Sequence, residues 1–346
     1  MSSNMSQASG SLEPAGRMVE LLNAHFVAQA LYVAAQLGLA DLIAGGATSV
    51  KAVAEATGAH APSVHRLLRM LAGEGVVREV RSGDFALTSL GETLRSDSPT
   101  SVRDRALYLA APEVWDACGE LRQSIMTGEP AFDHLHGAPF YTVINRQPET
   151  GAPFNRWMTR GSELDNTAVV SSYDFSSCAV VVDVGGGHGA TLAAILRAYP
   201  MVRGILLDLP AVVENAAPLG TPDLAGRAEI VAGNMIERVP AGGDAYVIKN
   251  IFRGEPDDRA VTVLRNCLGG LAAGGRILVV DAVMPDGDEP SPSRAADLFM
   301  LTCFGGHIRT QAEFRALFAA AGLRLNRVIP TRSVSSPISI LEGVPA

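Results

Sequence analysis

Near the middle of the chain, Val181-Val182-Asp183-Val184-Gly185-Gly186-Gly187-His188-Gly189 has the residue types and spacing to hold a cofactor. An apolar run ends in an acid and then in glycines. Glycine lets the backbone turn sharply and approach a ligand closely. The helix expected through Leu192, Ile195 and Leu196 would then aim unpaired N–H groups at that ligand. Two readings compete for the spacing. Gly185, Gly187 and Ala190 fit G-x-G-x-x-A, a dinucleotide fingerprint that is weak on its own. Asp183, Gly185, Gly187 and Gly189 fit D-x-G-x-G-x-G, the form that goes with S-adenosylmethionine. An acid at the strand end suits a cationic amino-acid moiety better than a pyrophosphate, which favours the second reading. Asp208, about 20 residues further on, could hold ribose hydroxyls in either case.

A second stretch, Lys249-Asn250-Ile251-Phe252-Arg253-Gly254-Glu255-Pro256-Asp257-Asp258, gathers a lysine, an arginine and several acids. Arg253 cannot act as a base, because its pKa lies above about 12. It can hold an anion, bidentately if that anion is a carboxylate. His307 is the residue type for proton transfer near neutral pH, since its ordinary pKa is about 6.5. The plainer reading of His307 is a polar loop histidine. The scattered cysteines, Cys118, Cys178, Cys267 and Cys303, have no metal-ligand spacing, so no metal is expected.

These residues need elements to position them. From Cys178 onward, strands are expected at Ala179–Val184, Ile205–Leu209, Ala228–Val231, Ala245–Lys249 and Arg276–Val283, with helices between them. That alternation implies an α/β, doubly wound, Rossmann-like parallel sheet. Arg324–Pro330 and Ile338–Leu341 are close enough to pair as a final hairpin. In front, Met18 to Ile43 reads as one unusually apolar helix that must bury more than one face, against either a second copy or its own chain. Val50–Thr57 ending at Gly58, Pro62–Ala72, and short strands at Val76–Glu79 and Phe85–Leu87 read as a winged helix. The expected organisation is a disordered leader over 1–16, a helical winged-helix domain over 17–100, a helical linker and pocket segment over 101–174, and a cofactor domain over 175–346.

Composition narrows the function. The chain has 346 residues, 47% hydrophobic and 18% charged, with a net charge of −8. Basic and acidic residues are nearly balanced across the winged-helix stretch. Nucleic acid is therefore not expected as a partner. The N-terminus lacks a signal-peptide pattern, and no apolar run is taken as long and uncharged enough to span a membrane. Scattered cysteines fit a reducing cytoplasm.

Five stretches carry a family resemblance: AFDHLHGAPFY (Ala131 to Tyr141), VVDVGGGHG (Val181 to Gly189), LLDLP (Leu206 to Pro210), DLFML (Asp297 to Leu301) and GGHIRT (Gly305 to Thr310). With them the chain resembles the S-adenosylmethionine-dependent O-methyltransferases that carry a winged-helix dimerisation domain, a class that includes plant phenolic and actinobacterial antibiotic-tailoring enzymes. The resemblance runs from Met18 to Leu341. It implies that Asp183, Gly185 and Gly187 hold the methionine end, that Asp208 and Leu209 meet the ribose side, that Asn234 and Met235 flank the adenine, and that Lys249 closes its strand. It also implies a homodimer and a small aromatic or polyketide-like substrate, walled by Trp115, Tyr141, Met158, Met300 and Phe304.

The chain departs from the family where chemistry is expected. The usual Leu-His-Asp-Trp is here Phe252-Arg253-Gly254-Glu255, and the usual Glu of Gly-Gly-x-Glu-Arg-Thr is Ile308. Base and orienting acid are both replaced. Arg253 is therefore expected to position an acceptor that is already ionised, with His307 as a displaced base in the rival account. Two further readings stay open: a relative that binds the cofactor without transferring methyl, and a non-enzymatic winged-helix regulator.

Overall fold

The structure is a computed structural model. It describes the backbone of residues 3–214, 216–333 and 336–346, with side chains from Glu13 onward. Two compact units emerge: Met1–Asp116 with Tyr141–Trp157, and Ala117–Phe140 with Met158–Ala346. The segment 101–174, expected as one linker, is shared between them. The leader expected over 1–16 lies mostly outside the described side chains, and the described backbone there is helical from Ser3.

In the first unit the helix Ser3–Gln36 stops at Leu37-Gly38, and a separate helix runs from Leu39 to Ala44. Gly38 adopts a left-handed conformation (φ 63°), which breaks the single helix expected over Met18–Ile43. Ser49 caps the helix Val50–Thr57 by accepting the Ala52 N–H at 3.1 Å, and Gly58 ends it in a left-handed turn. The helix Ala61–Gly73 follows, then the antiparallel pair β1 (Val77–Arg81) and β2 (Asp84–Leu87). Ala30, Ala34, Leu39, Val53, Leu68 and Phe85 close this unit's core. From its middle onward to Phe26, the helix Ser3–Gln36 instead exposes Met18, Leu22 and Phe26. One correction follows: Glu13–Gln36 is long and apolar enough, by length and composition, to cross a membrane, and little of it is buried within the chain.

The second unit is built on a seven-stranded sheet. Its strands are β3 (Val180–Val184), β4 (Arg203–Asp208), β5 (Ala228–Ala232), β6 (Gly243–Lys249), β7 (Leu271–Ala282), β8 (Leu323–Pro330) and β9 (Ile338–Pro345), in the order β5-β4-β3-β6-β7-β9-β8. Neighbours from β5 to β7 pair in parallel, whereas β9 runs antiparallel to both β7 and β8. The hairpin expected at the end of the chain thus extends the sheet. Alternate residues feed two cores, as a strand buried on both faces requires. Val181, Leu206, Val247 and Val280 pack with the helix Ala190–Ala198, whereas Val182, Leu207, Ile248 and Val279 pack with the helices Asp257–Gly270 and Gln311–Ala320.

The alternation of strands and helices is incomplete. Among the described residues, the only α-helix between β4 and β5 is the short Pro210–Val213, followed by two 3-10 turns, and between β5 and β6 there is none. Close packing seals the antiparallel edge, where a Cβ placed on Gly343 of β9 would lie 2.1 Å from Cε1 of the buried Phe318. Gly343→Ala should therefore destabilise the protein by about 1–3 kcal/mol through overpacking. Urea denaturation would read this as a lower midpoint, and an unchanged midpoint would show that the Phe318 ring moves freely aside.

Candidate functional site

The sheet places the expected cofactor residues at the carboxyl ends of β3, β4, β5 and β6, where parallel sheets bind ligands. Gly185, Gly187 and Gly189 all take positive φ (66°, 62° and 82°). Gly186 is needed for a different reason: a Cβ there would lie 2.5 Å from the Asp183 carboxyl. Asp208 is tied to this turn. Its Oδ2 accepts the Gly187 N–H at 2.8 Å and its Oδ1 accepts the Leu209 N–H at 2.7 Å. A carboxylate keeps further acceptor capacity beyond one bond per oxygen. Asn234 Oδ1 accepts the Ile236 N–H at 3.0 Å, which leaves its amide donors uncommitted by that bond. The Met235 sulfur approaches to 3.5 Å from a Cβ built on Gly185. Leu209 is half exposed.

Asp183 is the unusual group. It is fully buried, and neither carboxyl oxygen has a well-formed hydrogen bond. Burial pushes its pKa up to about 7, against the Lys249 ammonium and the Leu192 amide, while Asp208 pushes the same way as burial. Lys249 donates to Ser162 Oγ at 3.1 Å. Burial lowers its pKa, with Asp165 and Asp183 opposing and Arg253 adding to the fall. An unpartnered buried acid beside a glycine turn is what a cationic amino-acid end fits, so these residues suit S-adenosylmethionine. Thr191 donates to the buried Asn166 at 2.9 Å behind the turn. The sequence reading missed Ser162, Asp165 and Asn166, whose helix, Pro148–Ser172, shows no local motif.

Arg253, expected to position an ionised acceptor, is paired within the chain. Arg253 Nε lies 2.8 Å from Asp281 Oδ1, and Asp281 is buried with 1% side-chain exposure. Asp281 Oδ2 also accepts the Arg253 backbone N–H at 3.1 Å. Arg253 Nη2 donates to Asn250 Oδ1. Asn250 is the one described non-glycine residue with positive φ, 61°, a conformation that asparagine tolerates better than most residues. Close by, the His307 N–H donates to the Arg253 carbonyl at 3.0 Å, and Gly306 packs so tightly on that carbonyl that a Cβ would lie 2.1 Å from it. The His307 side chain is exposed, and Ile308, at the position of the missing acid, is buried.

The expected pocket walls divide between the units. Trp115 and Tyr141 fall in the first, and Met158, Met300 and Phe304 in the second. Tyr141 stacks edgewise on Phe154, with centroids 5.9 Å apart. Phe304 lies on Phe140 at 4.5 Å, and Met300 Cε lies beside Gly306 and so near the Arg253 carbonyl. Met158 is half exposed.

The raised pKa of Asp183 has a sign that can be checked. The folded state holds a proton that the unfolded state has released between about pH 4 and 7, so this group lowers stability as pH rises through that window. Asp183→Asn should then stabilise the ligand-free protein by a few kcal/mol (on the order of 4 at most) at pH 8 and by little near pH 4. The same variant should lose tenfold or more in S-adenosylhomocysteine affinity by calorimetry. Equal stability at pH 8 would refute this account of the buried acid.

The comparisons with known proteins agree with the geometry. An O-methyltransferase domain matches residues 118–324, and an O-methyltransferase dimerisation domain matches residues 19–97. A phenazine O-methyltransferase of Lysobacter antibioticus is 38% identical over 95% of this chain and 95% of its own length. A calicheamicin-biosynthesis methyltransferase, solved in its S-adenosylhomocysteine-bound form, is 37% identical with a TM-score of 0.87, covering 97% of this chain and 99% of that one. A neocarzinostatin-biosynthesis O-methyltransferase, solved with S-adenosylmethionine and 2-hydroxy-5-methyl naphthoic acid, is 36% identical with a TM-score of 0.73, covering 92% and 96%. The chain belongs to the S-adenosylmethionine-dependent O-methyltransferase family.

Proposed function

We propose that this chain transfers the methyl group of S-adenosylmethionine to a planar aromatic natural product whose nucleophile needs no protein base. The observation that carries this reading is the Arg253–Asp281 ion pair at the position where the family keeps a histidine. S-adenosylmethionine supplies an electrophilic methyl carbon on a cationic sulfur. Asp183 and the glycine turn bind its amino-acid end, Asp208 and Leu209 take the ribose side, and Asn234 and Met235 flank the adenine. Lys249, held by Ser162, sets the charge beside Asp183. Arg253 cannot remove a proton. Tied to Asp281 and Asn250, it offers a fixed donor edge to an acidic oxygen or a ring nitrogen, and rate comes from proximity and orientation. Met158, Met300 and Phe304 supply apolar surface for the acceptor. The relatives named above work on a phenazine and hold a naphthoic acid, which are planar aromatics of this kind.

Purified protein given methyl-labelled S-adenosylmethionine and a panel including phenazine-1-carboxylate, 1,4-dihydroxy-2-naphthoic acid and 2-hydroxy-5-methyl naphthoic acid should label at least one of them. The rate should stay flat from about pH 6 to 9 with a ring-nitrogen acceptor. Arg253→Ala should raise acceptor KM tenfold or more, and His307→Ala should leave kcat within about twofold. If instead His307→Ala abolishes transfer, His307 is the base. The missing histidine and acid also favour a second reading, a cofactor-bound enzyme that does not methylate. An acceptor consumed without gaining label would select it.

The assembly we infer is a homodimer. Leu22 (66% exposed) and Phe26 (61%) follow Met18 at four-residue spacing on one face of the helix Ser3–Gln36, within the matched dimerisation domain. We read the helices Val50–Thr57 and Ala61–Gly73 with β1 and β2 as a winged helix serving this assembly, without nucleic acid. A covered apolar helix and four free cysteines favour a cytoplasmic protein over a membrane-anchored one. Phe26→Asp should shift the mass in light scattering from dimer to monomer at micromolar concentration. A wild-type monomer would overturn this assembly.

A further inference from the structure

Arg309 is the largest fully buried side chain among the described residues, with 1% exposure. A guanidinium taken wholly out of water is costly unless every arm is answered. Here the answering atoms come from one short loop. Nε and Nη2 donate to Asp257 Oδ1 at 3.0 and 2.6 Å, Nη2 donates to the Glu255 carbonyl at 2.7 Å, and Nη1 donates to the Phe252 carbonyl. That loop, 252–257, contains Arg253. Arg309 is itself fixed on the opposite side. Its carbonyl accepts the Met284 N–H at 2.9 Å just beyond β7, and the preceding Ile308 N–H donates to Asp297 at 2.6 Å. The fork therefore joins the end of β7 and the helix Pro292–Phe304 to the loop carrying the residue at the reacting position.

We propose that Arg309 is a positioning residue for methyl transfer, acting through the Phe252 and Glu255 carbonyls and the Asp257 carboxylate to hold Arg253 and Asn250 at the acceptor. This rests on the functional reading above. The geometry explains why the position needs arginine. Planar, divergent donors are required to meet two carbonyls and a carboxylate at once, and a lysine ammonium presents a single point of charge. The cofactor turn at Gly185–Gly189 takes no bond from this fork. Loosening the fork should therefore affect orientation of the acceptor more than cofactor binding.

The test compares wild type, Arg309→Lys and Asp257→Asn. Readouts are S-adenosylhomocysteine affinity by calorimetry, hydrogen exchange of peptides spanning 250–258 and 181–189, and kcat and KM for whichever panel compound wild type labels. The Asp257 side chain is mostly exposed, so its variant keeps the core even if Arg309→Lys does not fold. The expected result is a kcat loss of tenfold or more in Arg309→Lys and severalfold in Asp257→Asn. Exchange should be faster at 250–258 alone, and S-adenosylhomocysteine affinity should stay within about twofold. Unchanged kcat in both folded variants would overturn the proposal. So would parallel losses of kcat, cofactor affinity and protection at 181–189, which mean general loosening. Wild type that labels no acceptor sinks the functional reading itself. A labelling wild type with unimpaired variants sinks the role of Arg309 alone.

Discussion

The second unit depends on one uncomfortable charge. Asp183 sits at the end of the central strand β3, fully buried and without a good hydrogen bond. A carboxylate in that position opposes folding, and the surrounding structure makes sense as its containment. Lys249 arrives at the end of neighbouring β6, Gly186 lets the backbone pass directly over the carboxyl, and Asp208 spends its oxygens on the turn. Binding sites commonly trade stability for function in this way.

Beside this cofactor corner lies a second polar centre with the opposite character. Around Arg253 the polar groups are paired: Asp281 lies in an ion pair with the guanidinium and accepts the Arg253 backbone N–H, Asn250 accepts from Nη2, and Arg309 is met by three groups of the same loop. A family histidine replaced by arginine would leave a drifting cation if its neighbours had not adapted. Here Asp281 neutralises it and the left-handed Asn250 reaches back to it. The replacement is thus part of an ordered polar cluster.

The glycine turn at the end of β3 was legible in the sequence because its requirements are local. A ligand approached by backbone needs glycine, a strand buried on both faces needs a continuous apolar run, and the next strand's acid falls at a fixed distance. Arg309 was not legible, since an arginine in Gly-His-Ile-Arg-Thr reads as surface until its partners more than fifty residues away are known. The pairing of Asp281 with Arg253 was hidden for the same reason. The missing helix between β5 and β6 shows where alternation misleads: strands announce themselves by composition, but a crossover can be covered by irregular chain. Periodicity likewise gave one helix through Gly38. It also passed over a membrane-length apolar stretch, because counting apolar positions does not say what will cover them.

The strand order leaves β5 and β8 at the rims of the sheet. Unpaired rims invite other chains to add on, and parallel sheets assemble slowly enough to give them time. This chain blunts both. β5 is only five residues long and carries Glu229, whereas β8 carries Arg324 and Arg327, shifts register between Leu325 and Arg327, and ends in Pro330. A protein whose first helix exposes Met18, Leu22 and Phe26 is thereby kept from also pairing strands at its rims while its sheet is still forming.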